Sequence, residues 1–230
     1  SSDGKNLKFA DGKPVPATAR NLDVTFNPKV RLCYEYQTEA TTKAQVIQLE
    51  ELRSQQQKGT QTQTDVSTKN SGGPIQMQIT TRQPIILHGT DNGQLKLSVD
   101  VLNVDPKSGG LTFIPAGTQD REDCLSPAKK NKVVLAAEVV GATCTLDPSQ
   151  QVNIDAVNSQ KLRDFYVKNG VPKTACLTEV NLADGKRGIA NYQFNLAGTT
   201  VGQKELNIRL IAFYGYYTEA STQFTVSPLP

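Results

Sequence analysis

Residues Lys132 to Val157 read KVVLAAEVVGATCTLDPSQQVNIDAV, an apolar run, a cysteine, an Asp-Pro turn signal and a second alternating run. Two strands joined by a turn is the simplest reading of this pattern. It places Cys144 inside the first strand, where a disulfide can pin that strand to a neighbouring sheet. A hairpin of this kind needs an apolar partner layer, so the rest of the chain is read for strands that supply one.

Such strands are abundant. Asn21 to Tyr36 alternates Leu22, Val24 and Phe26, then Val30, Leu32 and Tyr34, around a bend at Asn27-Pro28; this is a half-buried strand with a break. Cys33 then faces away from Leu32 and Tyr34, so a disulfide there requires cover on the opposite face as well. Gln94 to Val104 places Leu95, Leu97, Val99 and Val101 on one face and Lys96, Ser98 and Asp100 on the other. Asp91-Asn92-Gly93 is a hairpin signal leading into that strand, and residues 105–110 turn it back into Leu111 to Ile114. Later strands are expected at Val180 to Leu182, beyond them an Asp184-Gly185 turn, then at Tyr192 to Leu196 and in a long final run from Lys204 to Val226. In that run Leu206, Ile208, Leu210, Ala212, Tyr214 and Tyr216 share one face, and Ile211, Phe213 and Tyr217 take the other, so its middle belongs inside a sheet covered on both sides.

Two stretches depart from the strand pattern. Lys43 to Arg53 is built of good helix formers with Val46 and Leu49 at helical spacing, which predicts a helix capped by Thr41 or Thr42; a strand through Gln45 to Leu49 is the alternative. Gln55 to Gly73 is rich in Gln, Thr, Ser and Gly and almost without apolar residues, which predicts a long mobile loop unable to anchor itself in a core. The fold class is therefore all-β, one large sandwich or two small ones, with at most one short helix. A two-domain division falls in the charged, irregular stretch 117–130, giving an N-terminal β domain over 1–120 and a C-terminal one over 121–230, with a single domain as the alternative. Ala-Asp-Gly-Lys occurs at residues 10–13 and 183–186, and chance repetition of a turn tetrapeptide explains it.

One segment also resembles a known family. The alternating apolar residues before Ala142-Thr143-Cys144-Thr145-Leu146-Asp147, and the Ser-Gln turn into Val152-Asn153-Ile154, resemble the start of chaperone-usher fimbrial subunits. The aromatic strand near Tyr214, the Ala-Ser-Thr connection after it and a last strand at Thr222 to Val226 follow that family more loosely. The chain departs from it at Ser227-Pro228-Leu229-Pro230, where the family has a Tyr-containing strand. The resemblance implies an immunoglobulin-like sandwich, assembly with other subunits by β-strand addition, capture by a periplasmic chaperone, and a host glycan or protein as receptor. It also implies pairing of Cys144 with Cys176, which leaves Cys33 with Cys124; the residues alone leave all three connectivities open. In that family setting an arm over residues 1–16, with Leu7 and Phe9, would be a donor strand, although a small edge hairpin is the simpler reading.

Composition narrows the compartment and the chemistry. The 230 residues carry 25 basic and 22 acidic side chains, a formal charge of +3, without a dense basic block, so nucleic acid is not an expected partner. No apolar run approaches the length of a membrane-spanning helix. The start at Ser1-Ser2-Asp3 is expected to follow removal of an export signal, placing the protein in the bacterial periplasm and then at the cell surface or outside. Four cysteines without a Cys-x-x-Cys pair, beside a single histidine, point to disulfides and not to zinc, and no cofactor is expected.

His88 follows Ile85-Ile86-Leu87 with no nucleophile elbow or Cys/His signature to serve as its partner, so it reads as a strand-end histidine and not a general base. Asp120, Glu122 and Asp123 read as a solvated loop in preference to a glycosidase carboxylate pair. Tyr214, Tyr216 and Tyr217 read as core in preference to a sugar-stacking platform. The expected function is thus a non-enzymatic, exported subunit or adhesin, with a secreted carbohydrate-binding or glycan-hydrolysing protein as the alternative.

Overall fold

The computed structural model describes residues 24–60, 64–87, 93–104, 111–113, 130–145, 166, 168–172, 175–196 and 203–226. Its elements are β1 (Val24–Phe26), β2 (Lys29–Gln48), α1 (Leu49–Gln57), β3 (Lys69–Asn70), β4 (Ile75–Ile79), β5 (Ile85–Leu87), β6 (Gln94–Asn103) and β7 (Leu111–Phe113). They continue as β8 (Lys132–Val139), β9 (Ala142–Cys144), β10 (Cys176–Asn181), β11 (Arg187–Leu196), β12 (Gln203–Ser221) and β13 (Phe224–Val226). The fold is all-β, as its alternating pattern predicts, and α1 is the one complete helix among the described residues.

Two compact units are present, one of residues 1–31 with 219–230 and one of 32–218. In the first, β1 pairs antiparallel with β13, Phe26 stacks on Phe224 with centroids 5.3 Å apart, and Thr222 N–H donates to Pro28 O. The second is a sandwich. Its larger sheet runs β10-β8-β12-β2-β3, with β5 added to β2 and β7 to β12; its smaller sheet runs β4-β6-β11-β9. The inner faces meet in one core, with Leu95, Leu97, Val99 and Val101 of β6 and Tyr192 and Phe194 of β11 against Leu135 of β8 and Leu210 and Tyr214 of β12. Burying each such side chain is worth about 1.5–3 kcal/mol, which is what holds two otherwise separate sheets face to face.

A second apolar cluster lies on the other face of the larger sheet. Val134 and Ala136 of β8 and Ile211 and Phe213 of β12 are covered there by Tyr166, Val171 and Ala175, with the Tyr166 ring edge-on to Phe213 at 5.2 Å. The two-sided middle of the final run is accounted for by these two layers.

Several local expectations are corrected by pairing. A cut at 117–130 does not separate the sheets, because β11 pairs along its length with β6, and β12 lies between β8 and β2. The predicted hairpins are crossings instead: β5 pairs parallel with β2 while β6 joins the other sheet, and β7 pairs with β12 and not with β6. Residues 88–92 and 105–110, where the sequence predicts those turns, lie outside the described residues. The Asp184-Gly185 turn is present, with φ of 51° and 69°, yet it too carries the chain between sheets, from β10 to β11. In the opening stretch the turn comes at Val140-Gly141, Gly141 having φ of 80°, so Cys144 sits in β9 and not in the first strand. The inner faces of both sheets demand the same alternation, so a pattern identifies a strand without saying which sheet it joins.

The helix starts later than its residue propensities suggest. Val46 and Ile47 are buried in the parallel pairing with Ile85 and Ile86, which keeps β2 extended to Gln48. The N-cap is Gln48, without a side-chain capping bond, and Leu52 is the buried helix residue. Val30 and Leu32, expected on a half-buried face, are 68% and 64% exposed.

The polar segment before β4 is anchored, against expectation, in its described part. Val66 is fully buried, and β3 pairs through Lys69 and Asn70 with Thr41 and Ala40 of β2. The Asn70 amide then treats the edge of β4 as a strand would. Its Nδ2–H donates to Met77 O at 2.9 Å, and Met77 N–H donates to its Oδ1 at 2.8 Å. Ile79 N–H donates to Thr68 Oγ1 at 3.3 Å in the same way. One valine and side-chain amide chemistry thus replace the apolar content that the composition lacks. The end of this strap passes so close to the core that a Cβ on Gly73 would lie 2.5 Å from Thr38 Oγ1. That hydroxyl is hydrogen-bonded to buried Tyr214 Oη at 2.8 Å.

Candidate functional site

On β2 and β12 alternation sends Ala40, Leu206, Ile208 and Leu210 into the core and Glu39, Thr41, Lys43, Glu205, Asn207 and Arg209 to the outer face. The two strands run antiparallel. Glu39 meets Arg209, Lys43 meets Glu205, and Gln45 meets Gln203, so Thr41 lies across from Asn207. β8 extends the rows on one side, with Glu138 opposite Arg209 and Val140 N–H donating to Asn207 O at 3.1 Å. β3 extends them on the other, Lys69 opposite Thr41.

The outer face therefore carries three cross-strand rows. Two of them are built on ion pairs. Arg209 forks onto Glu39 through Nε at 2.7 Å and Nη2 at 3.3 Å, has Glu138 at 3.9 Å, and donates from Nη1 to Gly170 O at 3.2 Å. The Glu39 hydrogen bond raises the guanidinium pKa, and partial burial opposes it without reversing it, so Arg209 holds its charge. The Gly170 bond also ties this row to the turn that covers the second apolar cluster. Lys43 and Glu205 pair at 2.9 Å in the other.

Between them the row Val140, Asn207, Thr41, Lys69 has no such closure. Among the described residues nothing bonds the side chains of Asn207, Thr41 or Lys69. A concavity of about 660 Å³ opens over this row, bounded also by Asp65, Ser67 and Gln83 of the strap and its bridge. The volume is of the size that small-molecule sites occupy. Chemically it offers amide, hydroxyl and ammonium groups beside fixed ion pairs, without an aromatic wall.

The residues singled out from the sequence fall elsewhere. Cys144 and Cys176 are bonded, with Cα atoms 5.4 Å apart, and the bond joins β9 of the smaller sheet to β10 of the larger one. Cys33 is disulfide-bonded as well; Cys124, expected as its partner, lies outside the described residues. So do His88, Asp120, Glu122 and Asp123, and the arm over residues 1–16. Tyr214, Tyr216 and Tyr217 are buried, so they pack in the fold and present no sugar platform. Among the described residues no group of three or more His, Cys, Asp or Glu side chains converges as a metal site. Among the described residues no helix is long and apolar enough to cross a membrane.

The rows escape a linear reading because their members come from four separate strands. Outward alternation in the final run does mark Asn207 and Arg209 as surface residues, but the partners that give them a setting are supplied by pairing alone. No protein-family model, curated protein or solved structure matches the chain.

Proposed function

We propose that the chain is an exported bacterial surface protein, a fimbrial subunit or adhesin, that works by binding at the concavity over Thr41, Asn207 and Lys69. The observation that carries this reading is the concavity that opens over a polar row left unpaired among the described residues, between two rows built on ion pairs. Disulfides support an oxidising compartment, because thiols are kept reduced in the cytosol. The resemblance around Cys144 supports the fimbrial assignment and, with it, assembly by β-strand addition and delivery by a periplasmic chaperone.

The test is adhesion of beads coated with the full chain to host epithelial cells and to their extracted glycans and surface proteins. Retention that Lys69→Glu with Asn207→Ala abolishes is expected. Retention unaffected by the double variant would remove the concavity from the reading. Release of free sugar from the glycans would move the protein to the hydrolysing alternative.

A further inference from the structure

We infer that the chain pairs with a second copy of itself through the edge of β2, the two strands lying antiparallel about a two-fold axis at Cys33. The inference gives the strand-addition part of the reading above an edge and a partner, and it rests on that part and not on the concavity. β12 lies along one side of β2, and on the other side β3 meets Ala40 and Thr41. One further rung follows, in which Ser71 N–H donates to Glu39 O at 2.7 Å and Glu39 N–H to Ser71 Oγ at 2.9 Å. Among the described residues no strand continues this line beside residues 29–38. Both backbone groups of Glu39 point to that side, so strand alternation turns those of Gln37, Glu35, Cys33 and Arg31 the same way. A row of such groups is a template for another extended backbone, which sets the class of partner. The Cys33 side chain stands perpendicular to the sheet, so its disulfide does not occupy the backbone edge.

The side chains select which strand. Thr38 and Ala40 are fully buried, but the same face of β2 leaves the core toward the start of the strand, with Tyr36 36%, Leu32 64% and Val30 68% exposed. Residues Lys29 to Gln37 read KVRLCYEYQ, which is complementary to its own reverse about Cys33. Antiparallel pairing there sets Arg31 opposite Glu35 of the second copy, twice over, and also Leu32 opposite Tyr34 and Val30 opposite Tyr36. Opposite charges and aliphatic–aromatic pairs are cross-strand neighbours that stabilise a sheet. Shifting the register by two residues one way sets Arg31 against Gln37. The other way keeps an ion pair, Lys29 with Glu35, but leaves Tyr36 beyond the end of the facing strand. Because the strand meets itself, the assembly closes at two copies.

The experiment is sedimentation of the full chain across a range of concentrations, joined to amide hydrogen exchange. A dimer is expected, with the amides of residues 33, 35 and 37 protected when concentrated and released on dilution. Arg31→Glu and Glu35→Arg should each raise the dissociation constant at least about tenfold, and the two together should restore it. Urea midpoints of the single variants, measured on the dilute monomer, should match wild type, which separates lost pairing from lost fold. A monomer at every concentration would overturn the inference, as would a dimer that neither single variant weakens or that the double variant fails to restore. Protection of those amides that dilution does not release would place a strand of the same chain on this edge and overturn it too. The bead assay with Lys69→Glu and Asn207→Ala reads the concavity separately, so either conclusion can fail without the other.

Discussion

Replacing Asn70 by alanine should cost far more than its place in a polar, Gln-rich and Thr-rich segment suggests. The side chain makes two hydrogen bonds to the backbone of Met77, at 2.9 and 2.8 Å, on the outer edge of β4. Each is worth about 0.5–1.5 kcal/mol net, and an edge N–H or C=O that loses its partner away from water costs about 1–3 kcal/mol. The site is partly buried, so water recovers part of that penalty, and the expected loss is about 2–3 kcal/mol. With a urea m-value of about 2–3 kcal/mol/M for a domain of this size, the midpoint should fall by about 1 M. Asn70→Asp keeps an acceptor for Met77 N–H but sets a carboxylate against Met77 O, so it should also destabilise. Gln76→Ala, on the solvent face of the same strand, is the control and should change little. Hydrogen exchange adds a local reading: the Met77 amide should lose protection in Asn70→Ala before the core amides of β6 do. An unpaired β4 edge is also a template for a second chain, so the variant should self-associate at high concentration. If Asn70→Ala unfolds within about 0.5 kcal/mol of wild type and Met77 stays protected, the amide is not substituting for a strand and the account of the strap fails.

Two further outcomes follow from the sandwich itself. The Cys144–Cys176 bond spans 32 residues of sequence and joins the two sheets, so the double variant Cys144→Ala, Cys176→Ala should lose about 3–4 kcal/mol by loop-closure entropy, measured by urea unfolding without reductant. A smaller change than about 1 kcal/mol would mean that packing alone holds the sheets together. Burial pushes the Tyr214 hydroxyl from 10.0 up to about 12, against the opposing hydrogen bonds of Thr38 and Ile75. The folded state thus keeps a proton that the unfolded chain sheds near pH 10, so this contribution is intact below about pH 10 and is lost as pH rises toward about 12. Tyr214→Phe should flatten stability against pH in that window, with tyrosinate absorbance as the direct measure; an unchanged slope would show that the hydroxyl titrates as if exposed.

Sequence alone was enough to establish that this is a β protein, and to say which side of many strands faces inward. Leu95, Leu97, Val99 and Val101 alternate, and all four are buried; Ile211 and Phe213 break that alternation, and a second apolar layer covers them. Those conclusions need only the two-residue period of a strand and the cost of wetting apolar surface. Sheet membership needed the tertiary structure. β5 and β6, β8 and β9, and β10 and β11 are consecutive strands that look like hairpins, and each pair divides between the two sheets, because both inner faces accept the same pattern. The strap was hidden for a different reason: its anchor is Asn70, whose amide is indistinguishable in a sequence from any solvated one until Met77 stands opposite. The polar row under the concavity was hidden for the same reason. Thr41, Lys69 and Asn207 are ordinary surface residues in three separate strands, and only the register of β3, β2 and β12 sets them side by side between two rows of paired charge.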